Sequence, residues 1–251
     1  MILSVSDINF TYGSQGVLSG VDFNLKGGEL LAILGPNGVG KTTLLKCINA
    51  IHRPSAGSIM VEDRNVLEMR PNEIAKGIGY VAQKNECARI TVFDAILMGR
   101  KPHIQWRVGD NDLKMVDSAI RRLHMEALSL RYIDQLSGGE LQKVSIARAM
   151  VQEPRLMLLD EPTSSLDLKS QVDIMTMLRR VVDEHKIAAI MTMHDLNTAL
   201  RYADKVLFLK NGQIHSTGPT CDVTTEVVEE VYGLQVHIHT VQGHPMIVPA
   251  L

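Results

Sequence analysis

The chain has few cysteines and no pair of them at metal-ligand spacing. Its 251 residues include three, Cys47, Cys87 and Cys221, which lie far apart in the sequence. A disulfide framework or a zinc site would need an even set of cysteines or a CxxC pair, so we expect neither. Scarce, scattered cysteine is typical of a protein from a reducing compartment.

The sequence also lacks a long apolar run. No stretch approaches the roughly 20 apolar residues that a membrane-spanning helix needs. The first seven residues, MILSVSD, have neither the basic start nor the apolar core of a secretory signal, so we expect no signal peptide. If this protein works at a membrane, another chain must cross it.

Neither sign of charge is in large excess. There are 26 Lys and Arg against 28 Asp and Glu, a formal net charge of −2. No broad basic field would draw the protein to nucleic acid or to anionic lipid, so we expect no nucleic-acid partner. Apolar residues make up 45% and charged residues 22%, which suits a soluble globular protein with a large core.

Two parts of the chain carry strand patterns. Residues 3–10 and 17–25 alternate apolar and polar positions, as half-buried strands do. Later, two apolar runs flank Asn211-Gly212, a dipeptide that favours the tight turn of a β-hairpin. We therefore predict two half-buried strands near the N-terminus and a hairpin around residues 206–215.

The middle of the chain reads as helical. The sequence Thr91-Val92-Phe93-Asp94 matches a capping box and predicts a helix through about Met98. A second helix is indicated by apolar residues at three- and four-residue steps, namely Leu113, Val116, Ile120, Leu123 and Ala127.

An α/β rhythm resumes after this helical stretch. A buried strand at 155–160, a helix at 169–183 and a strand at 187–193 follow one another in βαβ order. The predicted layout is one domain over residues 1–251, with an α/β core of 1–84 and 154–251 and a helical insertion of 85–153.

Residues 35–42 read GPNGVGKT and fit the phosphate-loop pattern GxxxxGK[ST] at every fixed position. Glycines let the backbone turn with positive φ and bring its N–H groups close to an anion. An apolar run precedes the motif and a helix-compatible run follows it, which is the context the motif needs. Lys41 would supply a mobile charge for the β- and γ-phosphates, and the Thr42 hydroxyl would be a Mg²⁺ ligand.

A second catalytic segment is the apolar run 156–159 followed by Asp160 and Glu161. The end of a strand can hold the Asp160 carboxylate beside the phosphate-loop Mg²⁺, a hard cation that prefers oxygen ligands. Glu161, one residue further, can orient and polarise the attacking water. Without the phosphate loop, the same pattern could equally be the start of a solvated loop.

Two polar residues follow strand-like runs and allow two interpretations each. His194 could be an ordinary edge histidine, or it could contact the γ-phosphate, since ligands of parallel sheets bind at the carboxyl ends of strands. Gln83 could be an ordinary loop residue, or its amide could reach Mg²⁺ or the attacking water.

Residues 136–140 read LSGGE and precede a helical run. Ser137 and Glu140 stand three apart and satisfy a capping box, so one interpretation is a well-capped helix start. The same helix start would also offer uncovered N–H donors to an anion. Since the chain already has a phosphate loop, we predict that this second donor set faces the ATP held by another copy.

In this order and at these spacings, the motifs are similar to those of ATP-binding subunits of ABC transporters, and the resemblance covers nearly all of the chain. Residues 35–42 resemble the family's Walker A motif, 156–161 its Walker B motif with the catalytic glutamate, and 136–140 its signature motif. The other matches are Gln83 (Q-loop), His194 (switch histidine), Ser164–Asp167 (D-loop) and Tyr12 (the aromatic that stacks on adenine).

This resemblance implies a P-loop NTPase (RecA-like) core of α/β class, with an N-terminal antiparallel β subdomain and an inserted α-helical subdomain. It implies an ATPase that uses ATP and Mg²⁺. The catalytic residues would be Glu161, His194 and Gln83, and the Mg²⁺ ligands Thr42, Gln83 and Asp160. The nucleotide-binding residues would be Tyr12, Asn37, Gly38, Val39, Gly40, Lys41, Thr42, Thr43, Ser137, Gly138, Gly139, Glu140 and Asp167.

The resemblance also implies partners. Two copies would pair head to tail and enclose two ATP molecules, each bound by the phosphate loop of one copy and the signature motif of the other. The pair would drive a transmembrane permease dimer, and indirectly serve a substrate-binding protein, from the cytoplasmic face of the membrane. Gln83 and the helical insertion would contact the permease.

Residues 91–103 and 194–204 resemble the metal-chelate uptake branch, which serves ferric siderophores, haem and cobalamin. The alternatives are a molybdate or other importer, an exporter, and a soluble ABC protein acting on DNA or ribosomes. The sequence does not identify the transported ligand. His237 and His239 alternate around Ile238 and fit an edge strand with one polar face better than a metal site.

Overall fold

The computed structural model describes residues 1–83 and 89–250. The strands in this part of the chain are β1 (Leu3–Tyr12), β2 (Gln15–Leu25), β3 (Leu30–Leu34), β4 (Ala56–Val61), β5 (Arg64–Asn65), β6 (Ile78–Val81), β7 (Leu156–Asp160), β8 (Ala188–Thr192), β9 (Lys205–Lys210), β10 (Gln213–Pro219), β11 (Val236–Val241) and β12 (His244–Pro249). The helices are α1 (Lys41–Ile48), α2 (Pro71–Gly77), α3 (Val92–Leu97), α4 (Asp110–Arg122), α5 (Gly138–Met150), α6 (Leu168–His185), α7 (Leu196–Tyr202) and α8 (Thr225–Tyr232).

The central sheet has six strands in the order β10-β9-β3-β8-β7-β6. Its five strands from β9 to β6 run parallel, and β10 closes the edge as the antiparallel partner of β9. The carboxyl ends of β3, β6, β7 and β8 therefore meet at one edge. Ligands of such sheets bind outside these carboxyl ends, so this edge is where a functional site is expected.

A second sheet is antiparallel and has the order β2-β1-β4-β5. The predicted strands 3–10 and 17–25 are confirmed as β1 and β2, which pair from Leu3–Leu25 to Tyr12–Gln15. Strands β11 and β12 form a separate two-stranded hairpin. The predicted hairpin around Asn211-Gly212 is also confirmed, because both residues have positive φ, at 50° and 77°, between β9 and β10.

Both faces of the central sheet are covered, which explains why its strands are apolar throughout. Along β7, Met157 and Leu159 join the apolar cluster on the face that packs against α6, while Leu156 and Leu158 join the cluster shared with α1 and the antiparallel sheet. All five residues of β7 are buried, including Asp160. A strand enclosed on both faces must be continuously apolar up to the point where it reaches the site.

Helices α3, α4 and α5 pack around an apolar cluster of their own. Val92 and Ile96 from α3, Val116 and Ile120 from α4, and Val144 from α5 are members of this cluster. Thr91 caps α3 as predicted, because its Oγ1 accepts a hydrogen bond from the Asp94 backbone N–H at 3.1 Å. The boundary at residues 84/85 and Cys87 lie outside the described residues.

The second predicted helix is shorter than its apolar pattern indicated. Helix α4 ends at Arg122, and His124 has a φ of 53°, which an α-helix cannot accommodate. Ala127 therefore lies beyond the helix, in a 3-10 turn. Leu113, which was expected on the apolar face, is 40% exposed. None of the helices in residues 1–83 and 89–250 combines the length and apolar composition that a membrane span needs.

Candidate active site

The phosphate-loop residues connect the end of β3 to the start of α1. Gly40 has a φ of 109° and occupies the N-cap of α1. A Cβ at Gly40 would lie 2.9 Å from Leu18 Cδ2, so the site needs glycine both for its backbone angle and for space. The first residues of α1 line the cavity described below, and the start of a helix is a place where an anion can bind.

Lys41 folds back onto its own loop. Its Nζ donates hydrogen bonds to the backbone oxygens of Gly35 at 2.7 Å and Pro36 at 2.9 Å. The residue is buried, and burial lowers the pKa of its ammonium group, while the nearby carboxylates of Glu161 and Asp160 act in the opposite direction. The two backbone oxygens and two carboxylates keep a buried cation stable beside the loop.

Asp160 is the last residue of β7 and is only 2% exposed. Its Oδ1 accepts hydrogen bonds from Thr42 Oγ1 at 2.9 Å and from Thr192 Oγ1 at 2.8 Å. The structure thus brings the first turn of α1 and the ends of β7 and β8 together around one carboxylate.

Glu161 follows Asp160 and has a φ of 50°, an angle that non-glycine residues seldom adopt. This turn directs its side chain away from that of Asp160. Its Oε2 accepts a hydrogen bond from Gln83 Nε2 at 2.5 Å, and its Oε1 contacts His194 Nε2. The three residues predicted as catalytic are therefore in direct contact, and all of them lie where strands of the central sheet end.

A cavity of about 300 Å³ lies between these residues and the antiparallel sheet. Its lining residues are Tyr12, Gln15, Val17, Asn37, Gly38, Gly40, Lys41, Thr42, Thr43, Glu161 and His194. Most of the residues predicted to bind the chain's own nucleotide, as opposed to the nucleotide of a second copy, thus line one cavity. Val39 is the exception, because it packs against the apolar cluster beneath the loop.

Tyr12 stands at the rim of this cavity and is 48% exposed. Its hydroxyl is hydrogen-bonded to His52 Nε2 at 2.8 Å, and the His52 ring stacks on Phe10 with ring centroids 5.3 Å apart. His52 lies four residues beyond the end of α1, so the segment that follows this helix holds the Tyr12 hydroxyl.

The signature residues do not line this cavity. Ser137 is the N-cap of α5: its Oγ accepts from Glu140 N at 3.3 Å, and Glu140 Oε2 accepts from Ser137 N at 2.8 Å. The hydrogen bond from the Ser137 backbone lowers the pKa of Glu140. Ser137 and Gly138 are exposed, so this helix start is free to meet another molecule.

Asp167 lies next to the signature residues rather than in the cavity. It caps α6, where its Oδ1 accepts a hydrogen bond from Ser170 N at 3.0 Å. A Cβ on Gly139 would come within 2.8 Å of Ser170 Oγ, while one on Gly138 would lie 3.4 Å from Leu166 Cδ2. The predicted signature and D-loop motifs therefore form a second surface, separate from the cavity.

Three residues of the site were not singled out from the sequence. Thr192 donates to Asp160 and accepts from the Glu161 backbone N–H at 2.9 Å. The signal that the sequence offers for Thr192 is its polar side chain at the end of an apolar run, where ligands of parallel sheets bind; its partners across the sheet have no local signal. His52 and Tyr232, whose hydroxyl contacts the phosphate loop, carry no sequence signal of this kind.

Comparison with known proteins agrees with this geometry. The family described as ABC transporter matches residues 18–164. The chain is 47% identical over 249 residues to an uncharacterized ABC transporter ATP-binding protein of Methanocaldococcus jannaschii, covering 99% of this chain and 98% of that one.

Two further relatives are named for import. The petrobactin import ATP-binding protein YclP of Bacillus subtilis is 32% identical over 244 residues, with coverage of 96% of this chain and 97% of YclP. The phosphonates import ATP-binding protein PhnC 2 of Oceanobacillus iheyensis is 36% identical over 245 residues, covering 93% of this chain and 96% of that protein.

Solved structures share the fold over most or all of the chain. One comes from a transporter described as of metal-chelate type, in an inward-facing conformation; the TM-score is 0.87 at 31% identity, covering 100% of this chain and 97% of that one. Another is a dimeric ATP-binding cassette bound to ADP and phosphate in a post-hydrolysis state, with a TM-score of 0.76 at 26% identity and coverage of 87% and 99%. The chain thus has the P-loop NTPase fold of these cassettes and belongs to the ABC transporter family, as an ATP-binding subunit that hydrolyses ATP.

Proposed function

We propose that two copies of this chain enclose two ATP molecules and power the import of a metal chelate through a separate membrane permease. The observation that carries this proposal is the match along the entire chain to the subunit of a metal-chelate type transporter. The chelate would be a ferric siderophore, haem or cobalamin. The working position would be the cytoplasmic face of the membrane, held there by the permease.

The cavity beside the phosphate loop would hold the nucleotide. Tyr12 would stack on the adenine at the rim, and the loop N–H groups of residues 38–43 would surround the phosphates. Lys41 would exchange the backbone oxygens of Gly35 and Pro36 for β- and γ-phosphate oxygens, which satisfy a buried ammonium at least as well.

The donors around Asp160 fit a Mg²⁺ ion. They are a hydroxyl and a carboxylate, the hard oxygen donors that Mg²⁺ prefers, and Gln83, which contacts the neighbouring Glu161, is the proposed source of an amide oxygen. When bound, the ion would neutralise charge that builds up on the phosphates during hydrolysis. The expected protein ligands are Thr42, Asp160 and Gln83.

Glu161 would act as the general base or water-orienting residue, with His194 beside the γ-phosphate. Both oxygens of its carboxylate are engaged, one by Gln83 and one by His194. An attacking water would donate to a remaining lone pair of this carboxylate or would replace the Gln83 or His194 contact. Because Gln83 lies where the chain leaves the core for the insertion, its release would link catalysis to the surface expected to meet the permease.

The signature residues would complete the site of the other copy. The capped start of the 13-residue helix α5 presents Ser137, Gly138 and Gly139 outside the cavity, where the chain's own nucleotide cannot use them. A second copy bound head to tail would place the N–H groups of Gly138 and Gly139 and the Ser137 hydroxyl against the triphosphate held by the first. This arrangement accounts for two separate anion-binding surfaces on one chain.

Substitution of the proposed base tests the mechanism. Glu161→Gln keeps the shape of the side chain but removes its ability to accept a proton, so hydrolysis should fall by at least about 100-fold. The variant should retain bound ATP and accumulate as a dimer in size-exclusion chromatography with light scattering. Turnover at the parental rate would overturn the assignment of Glu161.

Lys41→Ala should abolish nucleotide binding, and unchanged affinity would overturn the phosphate-loop assignment.

Phosphonate import is the second candidate, because the phosphonate relative is 36% identical to this chain and the petrobactin relative 32%. The two are separated by ATPase assays of the complete complex, reconstituted in lipid with its permease and binding protein. Ferric petrobactin, haemin, cobalamin and methylphosphonate would each be added in turn. Stimulation by one of the chelates is expected, and stimulation by methylphosphonate alone would contradict the chelate assignment.

A further inference from the structure

Tyr232, the last residue of α8, reaches the phosphate loop from the far end of the chain. Its Oη accepts a hydrogen bond from the backbone N–H of Gly35 at 2.9 Å, although the two residues are 197 positions apart. Gly35 is the first residue of the loop. The family match ends at residue 164, so this contact comes from a part of the chain outside the matched region.

Gly35 is tightly enclosed and has no freedom to find another partner. Its φ is 145°, and a Cβ there would lie 2.3 Å from the backbone oxygen of Leu209 and 3.2 Å from Val39 Cγ1. Its carbonyl accepts from Lys41 Nζ at 2.7 Å, and its N–H donates to Tyr232. Both backbone polar groups of Gly35 are thus held by side chains, one inside the loop and one outside it.

Tyr232 is itself held firmly. Its ring packs against the apolar cluster that includes Val228 and Val231, and Gly233, with a φ of 68°, ends the helix directly after it. Burial raises the pKa of the Tyr232 hydroxyl to about 12, so it remains protonated, with lone pairs available to the Gly35 N–H, throughout the neutral range.

The C-terminal segment 225–249, which includes Tyr232, also contacts α7, the helix that follows His194. Asn197 on α7 donates from Nδ2 to the backbone oxygen of Ile247 at 3.1 Å and accepts from Ile247 N at 2.7 Å. Glu229 Oε1 accepts from Val236 N at 3.2 Å and thereby ties α8 to the β11–β12 hairpin. Residues 225–249 are therefore fixed at one end to the phosphate loop and at the other to the helix that follows His194.

We propose that Tyr232 is a positioning residue for the phosphate loop, holding the Gly35 backbone when Lys41 turns from the Gly35 carbonyl to the phosphates. The proposal rests on the phosphate-loop assignment made under the proposed function. Tyr232 contacts the phosphate loop and not the region proposed to bind adenine. Its loss should therefore lower the affinity for every ligand that bears the triphosphate, with or without adenosine.

The test compares Tyr232→Phe with the unmodified protein. Affinities for Mg-ATP and for Mg-tripolyphosphate should both fall about five- to tenfold, the effect expected when a buried backbone donor loses its acceptor. The KM for ATP should rise by the same factor, while kcat at saturating ATP stays within about twofold, since Tyr232 touches no reacting atom. Tyr202→Phe is the matched control, because its hydroxyl makes no hydrogen bond within the described residues.

Amide hydrogen exchange of the unmodified protein gives an independent measurement. The Gly35 N–H should exchange as slowly as that of Leu34 in β3, and Tyr232→Phe should speed the exchange of Gly35 selectively. Equal affinities in Tyr232→Phe and the parent, or rapid exchange of Gly35 in the parent, would overturn the proposal. Lys41→Ala, measured alongside, separates this outcome from failure of the loop assignment, since that variant should lose both ligands whatever Tyr232 does.

Discussion

Thr192 illustrates how much a single buried hydroxyl can do. It is fully buried, donates to Asp160 and accepts from the Glu161 backbone N–H. Thr192→Val keeps the volume but leaves that N–H without its acceptor. We expect the free energy of unfolding to fall by about 1–3 kcal/mol, measured by urea denaturation, and kcat to fall as Glu161 loses its fixed backbone.

Thr192→Ser is the control for this prediction. It retains the hydroxyl and removes only a methyl group, so it should lose about 1 kcal/mol of stability to the small cavity and keep most of the activity. If the valine variant were as active and stable as the serine variant, the hydrogen bonds of Thr192 would contribute to neither stability nor catalysis.

His52 provides a second prediction at the scale of one residue. It hydrogen-bonds the Tyr12 hydroxyl and stacks on Phe10, so it fixes the orientation of the ring proposed to meet adenine. We expect His52→Leu to raise the KM for ATP about two- to fivefold and Tyr12→Ala to raise it about tenfold, the range for one aromatic contact. In a Tyr12→Phe background, His52→Leu should have no additional effect on KM; an equal effect there would show that His52 acts independently of the hydroxyl.

At the scale of elements, the packing of α3, α4 and α5, the region predicted to be an insertion, depends on close contact between the turn after α3 and helix α5. A Cβ on Gly99 would lie 2.1 Å from the backbone oxygen of Arg148 and 2.7 Å from Val151 Cγ2. Gly99→Ala must therefore push α5 away from its neighbours, and we expect a loss of about 2–3 kcal/mol of unfolding free energy.

Gly77→Ala, at the end of α2, is the matched control for Gly99→Ala. No atom lies within 4 Å of a Cβ at Gly77, so alanine there should be neutral or stabilising by up to about 1 kcal/mol. Thermal or urea denaturation of both variants provides the comparison. Similar stabilities for the two would mean that α5 adjusts easily and that the insertion is not tightly packed.

Elements defined by local pattern were predictable from the sequence, and those defined by long-range contact were not. The strand–loop–helix around Lys41, the Thr91 and Ser137 caps and the Asn211-Gly212 turn each depend on a few neighbouring residues. The end of α4 was missed because apolar spacing continues past Arg122 while the backbone reverses at His124.

The candidate site divides in the same way. Motifs indicated Asp160, Glu161 and His194, but nothing local indicates that Thr192 lies between Asp160 and Glu161, which follows from the pairing of Asp160 with Thr192 across β7 and β8. The hydrogen bond between Tyr232 and Gly35 is still harder to predict from the sequence, because it depends on how α8 packs onto the folded core.

At the scale of the whole molecule, the chain carries two surfaces that we propose each bind a triphosphate, and only the cavity would hold the chain's own nucleotide. The cavity lies beside the phosphate loop, and the exposed start of α5 lies next to the Asp167 cap, outside that cavity. The proposed head-to-tail pair follows from this separation. It also predicts that a substitution at the start of α5 blocks hydrolysis without weakening ATP binding to a single copy.

Gly138→Asp is the variant that tests this prediction. A Cβ at Gly138 makes only ordinary contact with Leu166, at 3.4 Å, and an acidic residue in the first turn of a helix is favourable, so the variant should fold. Its carboxylate would face the partner's triphosphate and repel it.

The measurement is made on Gly138→Asp combined with Glu161→Gln. This double variant should bind ATP with parental affinity yet stay at the monomer mass of 27.8 kDa in light scattering, whereas Glu161→Gln alone reaches twice that mass. Gly218→Asp, with no atom within 4 Å of its Cβ, should leave the dimer intact. If the Gly138→Asp variant dimerised equally well, the start of α5 would not contact the second copy's nucleotide, because a carboxylate against a triphosphate would be too costly to tolerate.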